Sequence, residues 1–206
     1  MQIITLSDSN QREAVAKTVE VLKRGGIVIY PTDTLYGLAV DATNSKALAR
    51  LRNLKGREKK KPISIILPNV EAIADYVEWN TPAKKIADRF LPGPLTLVLP
   101  ARPHVLAELQ LLGMVGVRVP KDTFALALAK AFGKPYTATS ANRSGLPTPA
   151  TPHAILAQFG SLVDEIDLVI DAGERRGGTG STVVTFRDNN PYIVREGILS
   201  KEMLGL

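Results

Sequence analysis

The sequence predicts an α/β protein built on a mixed β-sheet with helices packed against it. Short runs rich in β-branched residues, such as 27–30 and 168–171, alternate along the chain with longer segments whose apolar residues recur every three to four positions. Some of these runs are separated by helix-length segments and others only by short turns. This mixture of connections favours a sheet with both parallel and antiparallel neighbours.

Capping residues, glycines and prolines set the boundaries of the predicted elements. Asp8 or Ser9 is the expected cap of the first helix, Asn44 or Ser45 of the second, and Thr81 of a later one. Asp122 is the expected cap of a further helix, and Thr151 with Pro152 starts another. Taken in order, the predicted strands cover 2–6, 27–30, 38–40, 63–67, 95–99, 115–119, 136–139, 168–171, 182–186 and 192–194. The predicted helices follow the caps just named and also cover 70–77, 122–132 and 152–159.

Composition limits the class of protein. With 206 residues, 45% of them hydrophobic, the chain can fill one core, and we expect a single domain over 1–206. The absence of cysteine excludes disulfides, a thiol nucleophile and a cysteine-built zinc site. The amino terminus lacks a signal-peptide pattern, and no apolar run approaches the roughly 18 residues needed to span a bilayer. We therefore expect a soluble, cytoplasmic protein with no membrane partner.

The excess positive charge is concentrated in one segment. The chain carries a net charge of +6, and residues 50–61 hold seven lysines and arginines against one glutamate, which is also +6. Concentrated charge indicates a phosphate-bearing small ligand at least as strongly as a polynucleotide, which would be expected to contact charges spread over several elements. A solvated helix end is the preferred interpretation for Lys59 and Lys60. Lys55, Arg57 and Lys61 are the candidates for a site.

The segment 31–38 carries a dense set of polar groups directly after a predicted strand. Its proline cannot continue a central strand, so the strand must end there. Three hydroxyls and a carboxylate follow within five positions, and Gly37 lets the backbone approach whatever they face. A capped turn whose hydroxyls bond only to local backbone is the alternative. The polar residues are Thr32, Asp33, Thr34 and Tyr36.

Several familiar catalytic arrangements are excluded or weak. The two histidines, His104 and His153, stand alone, so neither a Ser-His-Asp triad nor a two-histidine metal site is expected. No glycine cluster is followed by the lysine of a P-loop, and the glycine-rich turn 173–180 is a weak anion-binding signal by itself. We predict no metal held directly by protein ligands.

What remains is a set of hydroxyl, amide and cationic groups at the ends of strands. Ligands of α/β sheets gather at such ends, so we expect these groups to converge. Several cations without an activated nucleophile suit phosphoryl or nucleotidyl transfer, in which the protein positions reactants and neutralises charge. The set comprises Thr32, Thr34, Tyr36, Arg118, Ser140, Asn142, Ser181 and Arg195, with Lys55, Arg57 and Lys61 close in sequence.

Seven short blocks stand out when these strand ends are taken in order. They are 31–38, 55–57 with 61–62, 92–96, 118–120, 140–145, 181–184 and 195–197. Together they resemble the YrdC-like threonylcarbamoyl-AMP synthases, over nearly the whole chain. The chain is similar to the short, single-domain form of that family, because it ends soon after Arg195.

The resemblance implies a twisted mixed sheet, flanked by helices, around a large positively charged cavity. It implies a synthase that converts L-threonine, bicarbonate and ATP, with Mg²⁺, to threonylcarbamoyl-AMP and pyrophosphate, for threonylcarbamoyladenosine modification of tRNA. A downstream threonylcarbamoyl transferase complex would be the partner. Lys55, Arg57 and Arg118 would be catalytic. ATP would contact Lys55, Arg57, Lys61, Ser140, Asn142, Thr148 and Arg195, and threonine would contact Thr34, Tyr36, Arg118, Ala138, Thr139 and Ser181.

Three residues depart from the family pattern. Glu58 stands where many members have proline, and Thr185 stands where an aspartate often ends the block that begins at Ser181. Ile66 stands where longer members place a histidine that contacts threonine. Ile66 therefore leaves open a paralogue with altered substrate selection.

Two other classes of function remain as alternatives. A module that binds double-stranded RNA or tRNA would use the cations on phosphates, but only 5% of residues are aromatic and none lies within the basic run. A hydrogenase maturation protein would keep the nucleotide chemistry with another acceptor, but the zinc-finger and acylphosphatase domains that accompany it are missing from this sequence.

Overall fold

The computed structural model describes residues 1–58, 61–175 and 179–206. The strands are β1 (Gln2–Thr5), β2 (Val28–Tyr30), β3 (Gly37–Ala39), β4 (Ser64–Ile66), β5 (Leu95–Pro100), β6 (Met114–Arg118), β7 (Tyr136–Ser140), β8 (Leu168–Asp171), β9 (Thr182–Arg187) and β10 (Asn190–Arg195). The helices are α1 (Gln11–Lys23), α2 (Ser45–Lys55), α3 (Thr81–Phe90), α4 (Thr123–Phe132), α5 (Pro152–Phe159) and α6 (Lys201–Leu204). Short 3₁₀ helices cover Glu71–Asp75, Ala107–Leu109 and Gly160–Glu165.

These strands form one mixed sheet, as the sequence predicts. Within the described residues its order is β1-β8-β2-β3-β7-β4-β6-β5-β9-β10. Parallel pairs join β1 to β8, β2 to β8, β4 to β6 and β5 to β9. The other neighbours are antiparallel, including β7 with both β3 and β4. Strands that are distant in sequence therefore meet at the centre of the sheet.

One face of the sheet is covered along most of its width. Alternate strand residues such as Ile65, Leu97 and Val117 pack there against α2, α3 and α5 in one apolar cluster. Burial of these apolar side chains is the main stabilising contribution to the fold. Because it fixes the register of each strand, it also determines which residues point to the opposite face.

The opposite face is covered over only part of its width. There α1 and α4 pack against alternate residues of β8, β2, β3, β7 and β4, such as Tyr30 and Ile66. Arg118 is the register partner of Ile66 and so points to this same face from β6. Thr96 and Val183, which are partners on β5 and β9, continue that face beyond the two helices. Small and polar residues form this open part, and it becomes the floor of a cavity.

The structure confirms some predicted caps and corrects others. The side chains of Asn44, Asp122 and Thr151 accept hydrogen bonds from the first-turn amides of α2, α4 and α5. Asn80 rather than Thr81 caps α3, accepting from Ala83 N at 2.7 Å. Asn80 lies one position earlier, where the backbone is extended and the side-chain oxygen reaches the third helical amide.

The first helix begins later than predicted. It starts after Asn10 rather than after Asp8 or Ser9, and the Asn10 side chain bonds to Thr5 O and Ser7 N instead of capping the helix. The segment predicted as a helix over 70–77 is only the 3₁₀ helix Glu71–Asp75. The helix α6 near the carboxyl end was not predicted.

Over the residues that the structure describes, none of the helices combines the length and the apolar character that crossing a bilayer requires.

Candidate functional site

A cavity of about 420 Å³ lies on the open part of the sheet face. Eleven of the residues predicted to contact ATP or threonine line it, although they come from segments as distant as the turn before β3 and the end of β10. The predicted convergence of strand ends is therefore observed. These lining residues are Thr34, Tyr36, Arg57, Arg118, Ala138, Thr139, Ser140, Asn142, Thr148, Ser181 and Arg195.

The turn after β2 is held largely by Thr32. Its hydroxyl donates to Leu35 O at 2.6 Å and accepts from the amides of Thr34 and Leu35 at 3.0 and 3.1 Å. The alternative of a locally bonded turn thus describes Thr32 correctly. Thr34 is different, because its hydroxyl accepts a hydrogen bond from Arg118 Nη1 at 3.2 Å.

The turn 32–37 forms the rim of the cavity, and Gly37 lets the backbone of this rim approach a neighbouring aromatic ring closely. A β-carbon at this position would lie 2.7 Å from the ring of Tyr30. The Tyr30 ring is buried and packs edge-on against Tyr136, with ring centroids 5.3 Å apart. The group that Gly37 accommodates is therefore an aromatic ring in the cavity wall.

Tyr36 already uses its hydroxyl within the protein. The hydroxyl donates to Gly173 O at 2.7 Å and accepts from Ala172 N at 2.9 Å. Burial raises the pKa of this phenol above its usual value, so the group stays neutral. Tyr36 therefore ties the rim at β3 to the end of β8 and offers mainly its ring to the cavity.

Arg118 is the most firmly held cation of the site. Its Nη2 donates to Asp33 Oδ1 at 2.7 Å, and its Nε donates to Gly93 O at 3.2 Å. Both side chains are largely buried. Among the described residues, Asp33 Oδ2 has no hydrogen-bond partner. The guanidinium is thus fixed in orientation, with Thr34 and Asp33 beside it.

Arg57 and Arg195 bring two further guanidinium groups to the cavity. Arg57 Nη2 donates to Pro62 O at 2.7 Å, and Arg195 Nη2 donates to Ser181 O at 2.8 Å and Ser181 Oγ at 3.2 Å. Burial lowers the pKa of Arg57, as do the charges of Arg52 and Arg195. Burial likewise lowers the pKa of Arg195, followed by the charge of Arg118. The cations repel one another, and a polyanion would relieve this repulsion.

Lys55 does not line the cavity. Its side chain is buried, and its Nζ donates to Ser140 O and to Asn142 O, the latter at 2.7 Å. Its own carbonyl accepts from Ser144 N at 2.8 Å. Burial lowers the pKa of Lys55 to about 7, with a smaller contribution from the charge of Arg57. Lys55 therefore anchors the loop after β7 from behind the cavity wall.

The rest of the basic run is dispersed over the surface and interior. Arg50 pairs with Glu165 at 3.2 Å, and Arg52 donates to backbone carbonyls. Lys61, half exposed, pairs with Glu58 at 3.4 Å and is not among the lining residues. Lys59 and Lys60 lie outside the described residues, as do residues 176–178 of the glycine-rich turn. Within the described part of the run, only Arg57 reaches the cavity.

Several of the other lining residues were not predicted as site residues. Ser64 and Ile66 lie on β4, Thr96 lies on β5, and Glu196 follows β10. The Thr96 and Ser181 hydroxyls are 2.8 Å apart and bond to each other. The sequence signal for Ser64 and Thr96 is a polar residue at an alternate position of an otherwise apolar strand. That pattern alone also describes a strand with one solvated face.

Comparison with known families decides the relationship. The model of the Sua5/YciO/YrdC family, which carries the description "Telomere recombination", matches residues 20–197. The chain belongs to the Sua5/YciO/YrdC family. Its fold is thus the mixed α/β fold that solved members of this family share.

Individual members of the family make the relationship more specific. A protein named putative threonylcarbamoyl-AMP synthase from Methanocaldococcus jannaschii is 36% identical over 98% of this chain and 96% of its own length. The structure of Pyrococcus abyssi Sua5 complexed with L-threonine matches with a TM-score of 0.85 and 33% identity. That match covers 98% of this chain but only 58% of the P. abyssi chain. Escherichia coli YciO matches at 26% identity with a TM-score of 0.85, over 96% of this chain and 95% of its own.

Proposed function

We propose that this protein is a threonylcarbamoyl-AMP synthase that acts as one domain over residues 1–206. The observation that most strongly supports this proposal is that three guanidinium groups and a hydroxyl-rich rim, from five separate segments, meet around one cavity. The similarity to a Sua5 structure bound to L-threonine supports threonine as the amino acid. The names of the curated relatives support the product.

The reaction joins two anions and needs charge compensation. The threonine nitrogen bonds to the carbon of bicarbonate while one C–O bond breaks, and the oxygen leaves as water with the amine proton. The resulting carbamate oxygen bonds to the α-phosphorus of ATP. The bond from this phosphorus to the bridging oxygen breaks, and pyrophosphate leaves. Carbamate and triphosphate repel each other, so fixed cations are the main catalytic contribution that the protein can make.

The ATP end of the cavity is assigned to the loop after β7 and to Arg57 and Arg195. Arg57 retains donors beyond the one given to Pro62, and a guanidinium binds phosphate oxygens in a bidentate manner. Ser140, Asn142 and Thr148 lie on the same wall and offer polar groups to the nucleotide. Lys61 would join them only if its side chain left Glu58. Lys55 supports this wall through Ser140 and Asn142.

The threonine end is assigned to the rim formed by Thr34 and Tyr36 together with Arg118 and Ser181. Arg118 would bind the carboxylate, because its guanidinium is already oriented by Asp33. The hydroxyl of Thr34 and the edge at Ala138 and Thr139 would complete the pocket. A hydroxyl left unpaired in a buried site is costly, so such a pocket would discriminate threonine from amino acids without the hydroxyl.

Mg²⁺ would enter with the nucleotide. Over the described residues there is no group of three or more histidine, cysteine or acidic side chains that could hold an ion by themselves. Mg²⁺ is commonly bound by one or two carboxylates together with substrate phosphates, and Glu196 supplies a carboxylate to the cavity lining. When bound, the ion would neutralise charge on the phosphates. Glu196 is the residue that would approach it.

The product would leave for a threonylcarbamoyl transferase complex that modifies tRNA, in the cytoplasm. A chain without cysteine suits that reducing compartment. Direct RNA binding is the weaker alternative, since Arg50 and Arg52 are engaged within the protein and do not form a basic face. Ile66, an apolar side chain in the cavity lining, favours testing other amino acids beside threonine.

Pyrophosphate release tests the proposed function. We expect release only when ATP, threonine and bicarbonate are all present. Arg57→Ala should lower the rate at least about a hundredfold, because it removes a charge from the transition state. Arg50→Ala removes the same charge from the same run but away from the cavity, and it should leave the rate within about twofold. Equal effects of the two variants, or release without threonine, would reject the proposal.

A further inference from the structure

Ser64 presents a hydroxyl in the middle of the cavity floor that none of the assignments above uses. It is the first residue of β4, which lies between β7 and β6. Its register partner on β7 is Ala138, and the parallel pairing of Ile65 with Val117 places Gly116 across from it on β6. Ser64 therefore lies at the centre of the open sheet face.

Gly116 provides the space that this hydroxyl occupies. A β-carbon on Gly116 would lie 2.2 Å from Ser64 Oγ and 3.2 Å from Thr96 Cγ2. A side chain at position 116 and the Ser64 hydroxyl in its present place therefore exclude each other. At the point where β6 contributes to the cavity floor, it therefore carries no side chain.

The Ser64 hydroxyl remains available to a ligand. Thr96 and Ser181 bond to each other, whereas no hydrogen bond within the described residues engages Ser64 Oγ. A serine hydroxyl offers one donor and two acceptor positions. Bicarbonate carries oxygen acceptors and one O–H donor, so the two groups can pair in both directions. A lysine or arginine could only donate.

The position of Ser64 matches the place where the one-carbon unit must react. The wall with Asn142 lies on the β7 side of Ser64, and Arg118 lies on the β6 side. The carbon of bicarbonate must lie between the amino nitrogen and the α-phosphate. We infer, on the basis of the proposed synthase function, that the Ser64 hydroxyl over Gly116 binds bicarbonate and the carbamate formed from it.

Steady-state kinetics in CO₂-depleted buffer, with each substrate varied in turn, test this role. Ser64→Ala should raise KM for bicarbonate about tenfold, the effect of losing one hydrogen bond, and leave KM for ATP and threonine within about twofold. Gly116→Ala should reproduce this selective defect while Ser64 is retained, because its β-carbon displaces the hydroxyl. Thr185→Val is the matched control. It removes a hydroxyl that donates to Val98 O at 3.1 Å, and Thr185 is not among the lining residues.

Direct binding separates this inference from the proposed function. The ¹³C line of labelled bicarbonate should broaden in the presence of the wild-type protein and Thr185→Val, but much less with Ser64→Ala. Selective broadening without any adenylated product would reject the synthase and retain the bicarbonate site. Product formation with equal changes in all three KM values, or with none, would overturn the role of Ser64 and retain the synthase.

Discussion

Lys55 and Asn142 are joined through the wall of the cavity, with Lys55 Nζ donating to Asn142 O at 2.7 Å. The same amine donates to Ser140 O, and Ser140 in turn donates to Asn142 Oδ1. A lysine at the last turn of α2 thus fixes a loop that lies 87 residues later in the chain. The phosphate contacts proposed for this loop would therefore depend on a lysine that does not itself line the cavity.

Removal of the Lys55 amine should weaken ATP binding selectively. In Lys55→Met the carbonyls of Ser140 and Asn142 lose their donor, and the loop is no longer held in place. We expect KM for ATP to rise about tenfold, with KM for threonine within about twofold. Initial rates at varied ATP and varied threonine measure both values.

The matched control for this change is Lys46→Met, on the exposed first turn of the same helix. It should leave both KM values within about twofold. A fall in turnover with unchanged KM for ATP in Lys55→Met would instead make Lys55 a catalytic group, contrary to its observed position.

Stability should depend on pH through Lys55. Its pKa is lowered to about 7 in the folded protein, against 10.5 for an unperturbed lysine, because burial disfavours the charge. Between these values the unfolded chain binds a proton that the folded chain has released. The free energy of unfolding of the wild type, minus that of Lys55→Met, should therefore rise with pH, by at most about 1.4 kcal/mol per unit.

Urea denaturation at about pH 6.5, 8 and 9.5 measures this slope. For Lys46→Met, the difference from the wild type should stay flat across the same range. Parallel curves for the wild type and Lys55→Met would show that the buried amine keeps its proton.

Much of the fold could be predicted because local signals agreed with burial. Strands such as β8 are short apolar runs, and Asn44 and Asp122 cap the helices that follow them. The errors in the helix caps arose where two polar residues competed for one cap. Asn80 and Thr81 are adjacent, and only the extended backbone at Asn80 decides between them. Sequence alone does not contain that angle.

The sequence largely predicted which residues line the cavity, but it did not predict how each side chain is held there. Arg57, Arg118 and Arg195 line the cavity as expected. The burial of Lys55 could not be predicted, because it depends on a loop that reaches α2 only when β7 is inserted beside β4. Ser64 was missed for a similar reason, since its exposure to the cavity depends on Gly116, 52 residues later in the chain.

Asp33 should control both stability and threonine binding through Arg118. Asp33→Asn keeps the shape of the side chain but removes the charge from a largely buried ion pair whose atoms are 2.7 Å apart. We expect a loss of about 2 kcal/mol in the free energy of unfolding, and a KM for threonine raised about tenfold.

Urea denaturation and initial rates check the two effects of Asp33→Asn. Glu165→Gln, which alters the half-exposed pair with Arg50, is the comparison and should cost at most about 0.5 kcal/mol. A KM for threonine in Asp33→Asn equal to that of the wild type would contradict the proposal that Arg118 binds the substrate carboxylate.

Gly37 should not tolerate even an alanine. The added β-carbon would lie 2.7 Å from a Tyr30 ring that is held between Tyr136 and Thr137 O. We expect Gly37→Ala to lower the free energy of unfolding by about 1 to 3 kcal/mol. The cost should be smaller in a Tyr30→Leu background, as a double-mutant cycle would measure. An equal cost in both backgrounds would place the strain in the backbone instead.

The mass of the adenylated product, formed from ATP, threonine and ¹³C-labelled bicarbonate, tests the central claim most directly. That claim is that one electropositive cavity holds two anionic reactants together. The account predicts threonylcarbamoyl-AMP that is heavier by one neutron than the product from unlabelled bicarbonate, with an equal amount of pyrophosphate. An unlabelled adenylate, or AMP and pyrophosphate formed without threonine, would contradict it.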